Sequence, residues 1–188
     1  YFLSDDELLK IISQTRNPRA VQDYLSKCFD GIKTISFASD TSNEILTMIS
    51  PENEVVSLCR SLIANENIEG WLCELDDIMF ATIYQESKKC LEAYPPYDTA
   101  RRNWIFHGYP CQSVITVDQI MWAYFIEKMF DQMSTNKDAM INFKAYMERL
   151  ISELADLVTE KAGELKKSLV ERLIIINVHA RDVVQSLI

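Results

Sequence analysis

Met140-Ile-Asn-Phe-Lys-Ala-Tyr-Met-Glu-Arg-Leu-Ile-Ser-Glu-Leu-Ala-Asp-Leu157 is the stretch whose reading decides the fold. Its residues Met140, Phe143, Met147, Leu150, Leu154 and Leu157 recur with 3-4-3-4-3 spacing, which lines them up as one stripe on an α-helix. Leu165, Leu169, Leu173, Ile176, Ala180, Val183 and Leu187 do the same on the next segment. Two such seams suit an antiparallel helix pair packed about 20° apart, each helix roughly 35 Å long. Helices of that length exceed what a compact domain of this size needs, so the seams predict an elongated arm.

Working outward, Pro110 opens a segment to about Met133 that is apolar almost all round between Val114 and Phe130. A helix without a polar face is expected at the centre of a bundle. Upstream, Ile68, Leu72, Leu75, Met79, Ile83 and Cys90 predict a long helix from about Ile68 to Tyr94, ended by Pro95-Pro96. Asp98 is expected to cap a short turn carrying Arg101, Arg102 and Trp104. Ser4-Asp5-Asp6-Glu7 is a capping box for a first helix to about Thr15, with Leu3 and Leu8 as its staple. Asn17-Pro18 ends that helix and caps a second, buried through Val21, Leu25, Cys28 and Phe29 and stopped by Gly31. Between these helices the period falls to two. Lys33–Phe37, Ile45–Ile49 and Val55–Leu58 read as strands, with Ser50-Pro51-Glu52-Asn53-Glu54 as a hairpin turn. The expected fold is therefore mainly α: an elongated multi-helix bundle with a small β-hairpin or sheet insert. Residues 1–66 carry the N-terminal helices and the antiparallel insert, and residues 67–188 carry the long-helix bundle.

Composition narrows the function classes. The 188 residues carry 19 Lys and Arg against 28 Asp and Glu, a formal net charge of −9. A surface of that sign repels polyanions unless basic residues cluster, and here they form only isolated pairs such as Arg101-Arg102. No nucleic-acid partner is expected. The longest uncharged run, Asn103–Val117, is fifteen residues and contains Gly108 and Pro110, so no membrane-spanning helix is expected either. The five cysteines never approach closer than fourteen residues in sequence, which suggests reduced thiols and no structural zinc. The chain opens on Tyr1 without a basic leader and stops at Ile188 inside a helical pattern, so it reads as a piece of a longer intracellular protein.

Each chemically tempting group has a plainer reading. The glycines at 31, 70, 108 and 163 are too scattered for a phosphate loop. In Val178-His179-Ala180-Arg181-Asp182 the polar groups sit on successive helical residues that face different ways, so His179 is expected to be structural. Cys111 follows Pro110 at a helix start, where thiolate is favoured, but no histidine adjoins it in sequence and a buried structural thiol is expected. Seven methionines and Trp71, Trp104 and Trp122 fall mostly at core spacing. Asp5, Asp6 and Glu7, like Glu74, Asp76 and Asp77, are expected on solvated faces and not as metal ligands. No catalytic, cofactor-binding or metal residue is assigned.

An ordered set of strings carries a family resemblance: Tyr1-Phe-Leu-Ser-Asp-Asp-Glu-Leu-Leu9, Gln14-Thr15-Arg16-Asn17-Pro18, Lys27-Cys28-Phe29, Ser50-Pro51-Glu52-Asn53-Glu54-Val55-Val56, Glu69-Gly70-Trp71-Leu72, Tyr109-Pro110 with Gln112, Gln119-Ile120 with Trp122, and Val178-His179-Ala180-Arg181-Asp182-Val183-Val184. Together they resemble the linker region of a dynein heavy chain, and the opening and closing strings resemble axonemal forms more than cytoplasmic ones. Cys111, Tyr109 and Ala123 depart from the family's usual Gly, Trp and Thr. The resemblance implies a mechanical segment that bends and straightens across the AAA+ ring of the same chain, coupling ATP hydrolysis to microtubule-based movement. It implies that ATP and Mg bind elsewhere in the parent motor ATPase, and that other dynein subunits are met only indirectly. It further implies no direct microtubule contact, and a place in the cytoplasm and cytoskeleton, in the axoneme of a cilium or flagellum. The competing reading is a helical adaptor or scaffold module that captures a partner helix, which needs an exposed apolar groove. A hydrolase would need His107 or His179 to meet Cys111 or an acid in space.

Overall fold

A computed structural model describes residues 17–158 and 163–188. The capping box at Ser4–Glu7 and its helix lie outside the described residues. The chain packs as two units, one ending at Gln85 and the other running from Glu86 to Ile188.

The first unit begins with the Asn17-Pro18 cap. Asn17 accepts a hydrogen bond from the Arg19 amide through its side chain at 3.2 Å. The cap opens a 3₁₀ helix, Pro18–Tyr24, that passes into a short α1, Leu25–Cys28, and not the single α-helix expected. Pro18 and Val21, three residues apart, are both buried, which suits three residues per turn. Gly31, at φ +78°, turns the chain into the sheet.

Strands β1 (Thr34–Phe37), β2 (Glu44–Ile49) and β3 (Val55–Ile63) form an antiparallel sheet in the order β1-β2-β3. The expected hairpin turn is present. Ser50 Oγ accepts from the amides of Glu52 and Glu54 at 3.2 and 3.1 Å, and Asn53 takes the left-handed conformation at φ 63°. β3 runs past Leu58, where its end was expected, because its register jumps: Thr47 pairs Ser57, and then Ile45 pairs Leu62. The irregularity leaves the Cys59 amide without a ladder partner, and Thr82 Oγ1 accepts from it at 3.0 Å. On the other strand pair, Ser36 and Thr47 hydroxyls meet at 2.5 Å.

Helix α2, Ile68–Glu92, begins where Asn67 Oδ1 accepts from the Gly70 amide at 3.1 Å. A Cβ at Gly70 would lie 2.6 Å from Asn67 Nδ2, so a larger residue there would displace the Asn67 side chain from this cap. Its buried stripe is Ile68, Trp71, Leu75, Ile78 and Thr82, rotated from the expected one; Leu72, Met79 and Ile83 are half-buried at its flanks. Trp71, 1% exposed, takes the centre and packs with Val21, Leu25, Ile35, Ile45 and Leu62.

In the second unit, α3 (Arg102–Ile105), α4 (Cys111–Gln132), α5 (Ala139–Val158) and α6 (Glu164–Ser186) come after the Pro95-Pro96 break. Leu154 and Leu157 near the end of α5 share a cluster with Leu169, Val170 and Leu173 near the start of α6. Phe143, Met147 and Leu150 share another with Ala180 and Val184. The pair is thus antiparallel, and all six expected seam residues of α5 are buried. On α6 the buried line is Leu169, Leu173, Asn177, Ala180 and Val184, so Ile176 and Val183 flank it and Leu187 is exposed.

Two expectations do not hold in this unit. Helix α4 is not enclosed all round: Ile120, Tyr124 and Phe130 are 45–47% exposed, with the Lys128 ammonium 4.4 Å over the Tyr124 ring. The partner helices take its other flank, through Val114, Val117, Phe125 and Ile126. Nor does Asp98 cap α3. Its residue sits at φ 66° and its carboxylate accepts from Arg149 Nη2 at 2.5 Å, leaving Arg101 at the cap position. Among the described residues no helix is long and apolar enough to cross a membrane.

A buried charged network as the candidate functional site

Asp5, Asp6 and Glu7 lie outside the described residues, and the other groups singled out from sequence have separate surroundings. His107 is exposed and stacks on Tyr109 with ring centroids 4.7 Å apart, while His179 is exposed on α6. Beside it, Arg181 pairs with its own neighbour Asp182 at 2.6 Å. Cys111 is half-buried at the first turn of α4. Glu74 accepts from Arg60 at 2.7 Å, and Asp76 and Asp77 are exposed. No cluster of His, Cys, Asp or Glu suited to a metal ion occurs among the described residues. Trp71 and Trp104 are buried as expected, Trp104 donating through Nε1 to the Cys90 carbonyl at 2.9 Å; Trp122 is half-buried.

The second unit instead encloses a network that sequence reasoning missed. Arg101, at the start of α3, places Nη1 against Asp118 Oδ1 on α4, and both side chains are 5% exposed or less. The other carboxylate oxygen, Oδ2, accepts from Asn177 Nδ2 on α6 at 2.7 Å, and that amide also donates to the Leu173 carbonyl at 2.9 Å. Arg101 Nη1 also donates to the Tyr94 hydroxyl at 3.3 Å. Three elements are joined through one carboxylate.

Burial pushes the Asp118 carboxyl above its ordinary value, against the opposing pull of Arg101 and the Asn177 hydrogen bond. Burial also works against the Arg101 charge, but Asp118 and Tyr94 outweigh it and hold the guanidinium's pKa above normal. The neighbouring phenols of Tyr94 and Tyr146 are pushed up, chiefly by burial. The arrangement ties helices together, and Tyr94 packs edge-on against Trp104 beside it, with centroids 4.8 Å apart.

Comparison with known proteins supplies the context. The family described as "Dynein heavy chain, N-terminal region 2" matches residues 1–90. Dynein axonemal heavy chain 6 of Homo sapiens is 36% identical over 206 aligned residues, covering 100% of this chain and 5% of its own length. Dynein axonemal heavy chain 1 of Homo sapiens is 37% identical over 188 residues, again 100% of this chain and 4% of the relative. Dynein axonemal heavy chain 12 of Homo sapiens is 30% identical over 191 residues, with 100% and 6% covered. The chain therefore spans about a twentieth of the length of these relatives. The ordered strings, the helical bundle with its small sheet, and matches that span every residue agree: the chain belongs to the dynein heavy chain family, alongside its axonemal members.

Proposed function

We propose that this segment forms part of the mechanical linker of an axonemal-type dynein heavy chain, the lever that bends and straightens across the AAA+ ring of its own chain. In that role it transmits the work of ATP hydrolysis to microtubule-based movement in a cilium or flagellum. ATP and Mg are bound by other parts of the parent motor ATPase, and this segment neither catalyses nor touches the microtubule. Its acidic charge suits the last point, since a net −9 is repelled by another polyanion.

The observation that carries the reading is the α5–α6 pair, packed through two apolar clusters and tied to α4 by the bond from Asn177 to Asp118. A lever must resist deflection, and close-packed side chains of low compressibility supply that stiffness. Bending belongs at irregular points, not inside such seams. The test uses the full-length heavy chain that contains the segment. Leu173→Pro, which breaks α6 inside the seam, should leave basal ATPase activity largely intact and slow microtubule gliding severely. Unchanged gliding velocity would overturn the assignment.

A further inference from the structure

We propose that a small cavity beside the Arg101–Asp118 pair is a binding site for one structural water molecule, held by Arg101 Nε and Trp122 Nε1. Both nitrogens are fully buried donors without a hydrogen-bond partner among the described residues. Both side chains line the same cavity of about 10 Å³, together with Tyr94, Asp118, Phe143 and Asn177. That volume is about what a single water needs, and buried waters make roughly three hydrogen bonds to groups the protein leaves unpaired.

The chemistry matches in kind as well as in size. Arg101 Nη1 is committed to Asp118 and Tyr94, and Nε has no protein acceptor among the described residues. A guanidinium nitrogen and an indole nitrogen are donors only, so neither can satisfy the other. The bound species must therefore accept two hydrogen bonds. Water does so and still has two hydrogens to give, and the Asp118 carboxylate and Tyr94 hydroxyl on the cavity wall accept them. A cation is excluded by the guanidinium, and an organic ligand by the volume. The inference is independent of the linker assignment, because it concerns only how the network is completed.

The test is a crystal structure of the protein at a resolution that shows ordered solvent. One fully occupied water should lie within hydrogen-bond distance of both Arg101 Nε and Trp122 Nε1. In Trp122→Phe, which removes one of the two donors, that water should lose occupancy or shift toward Asp118. A dry cavity in the unsubstituted protein, or both nitrogens bonded to protein acceptors, would overturn the proposal. If Trp122→Phe fails to fold, nuclear magnetic resonance on the unsubstituted protein decides. The Trp122 indole proton should show a cross-relaxation peak to a water that tumbles with the protein, and absence of that peak would count against the site.

Discussion

Removing the Asp118 carboxylate charge should be among the most damaging conservative changes in the second unit. The Arg101 and Asp118 side chains are 5% and 3% exposed, so neither charge keeps its hydration. Breaking a buried pair by deleting one partner typically costs about 3–5 kcal/mol, because the remaining charge is left uncompensated. Asp118→Asn preserves shape and can still accept from Asn177, so its loss should come mainly from the orphaned guanidinium and fall in that range. Arg101→Met should cost a similar amount. The double variant Arg101→Met/Asp118→Leu is the informative one, since apolar replacement of a whole buried pair is often neutral or stabilising. Here Asn177 Nδ2 keeps its bond to the Leu173 carbonyl but loses Asp118, which returns about 1–3 kcal/mol of penalty. The double variant should then be destabilised by roughly 1–3 kcal/mol, far less than the sum of the single changes. Urea unfolding of all four proteins gives the cycle. A cost for Asp118→Asn below about 1 kcal/mol, or additivity within about 0.5 kcal/mol, would refute the picture of a desolvated, coupled pair.

Three further outcomes depend on burial. Phe143, 1% exposed on α5, should lose about 3–5 kcal/mol on truncation to Ala, whereas half-buried Trp122 should lose clearly less, although its side chain is larger. Equal losses in denaturant melts would mean that α4 is enclosed on both flanks. At alkaline pH, burial pushes the Cys90 thiol up to about 12 and raises Tyr94 and Tyr146 as well. Folded values above unfolded ones mean that the native state holds these protons longer, so stability is complete below about pH 8 and declines as pH rises toward 12. Cys59 and Cys73, both exposed, should take a maleimide in the native protein while Cys90 stays unreacted until unfolding. Native labelling of Cys90, or stability flat from about pH 8 to 11, would contradict this.

What could be read from sequence depended on how unbroken each pattern was. The α5 seam was legible residue by residue, because a helix with one apolar stripe has one way to bury it. Helix α4 was misjudged for the opposite reason: with apolar residues on every side, the pattern cannot say which side the neighbours take, and Ile120, Tyr124 and Phe130 stayed in water. On α2 a similar surplus of apolar residues let the stripe settle around Trp71 and Ile78, not Leu72 and Met79. β3 was cut short because its alternation is lost where its register jumps between Ser57 and Leu62.

The charged network left a trace in the sequence that only the fold makes readable. Asp118 stands four residues after buried Val114, and Asn177 stands four after Leu173 and three before Ala180, so each is a polar residue where its seam calls for an apolar one. Two such interruptions, 59 residues apart, meet only once α4 and α6 pack. Their effect comes from what an apolar seam lacks. Leucine and methionine rows tolerate a slip of one helical turn, since similar side chains would refill similar grooves. The same slip, about 5.4 Å, would carry Asn177 away from Asp118 and strand a buried carboxylate with one donor fewer. That penalty does not apply to the native register, so the network selects one alignment of α6 on α4 where hydrophobic packing alone would leave several close in energy. For the load-carrying role proposed above, a fixed register would be worth more than the small stability an all-apolar core would add.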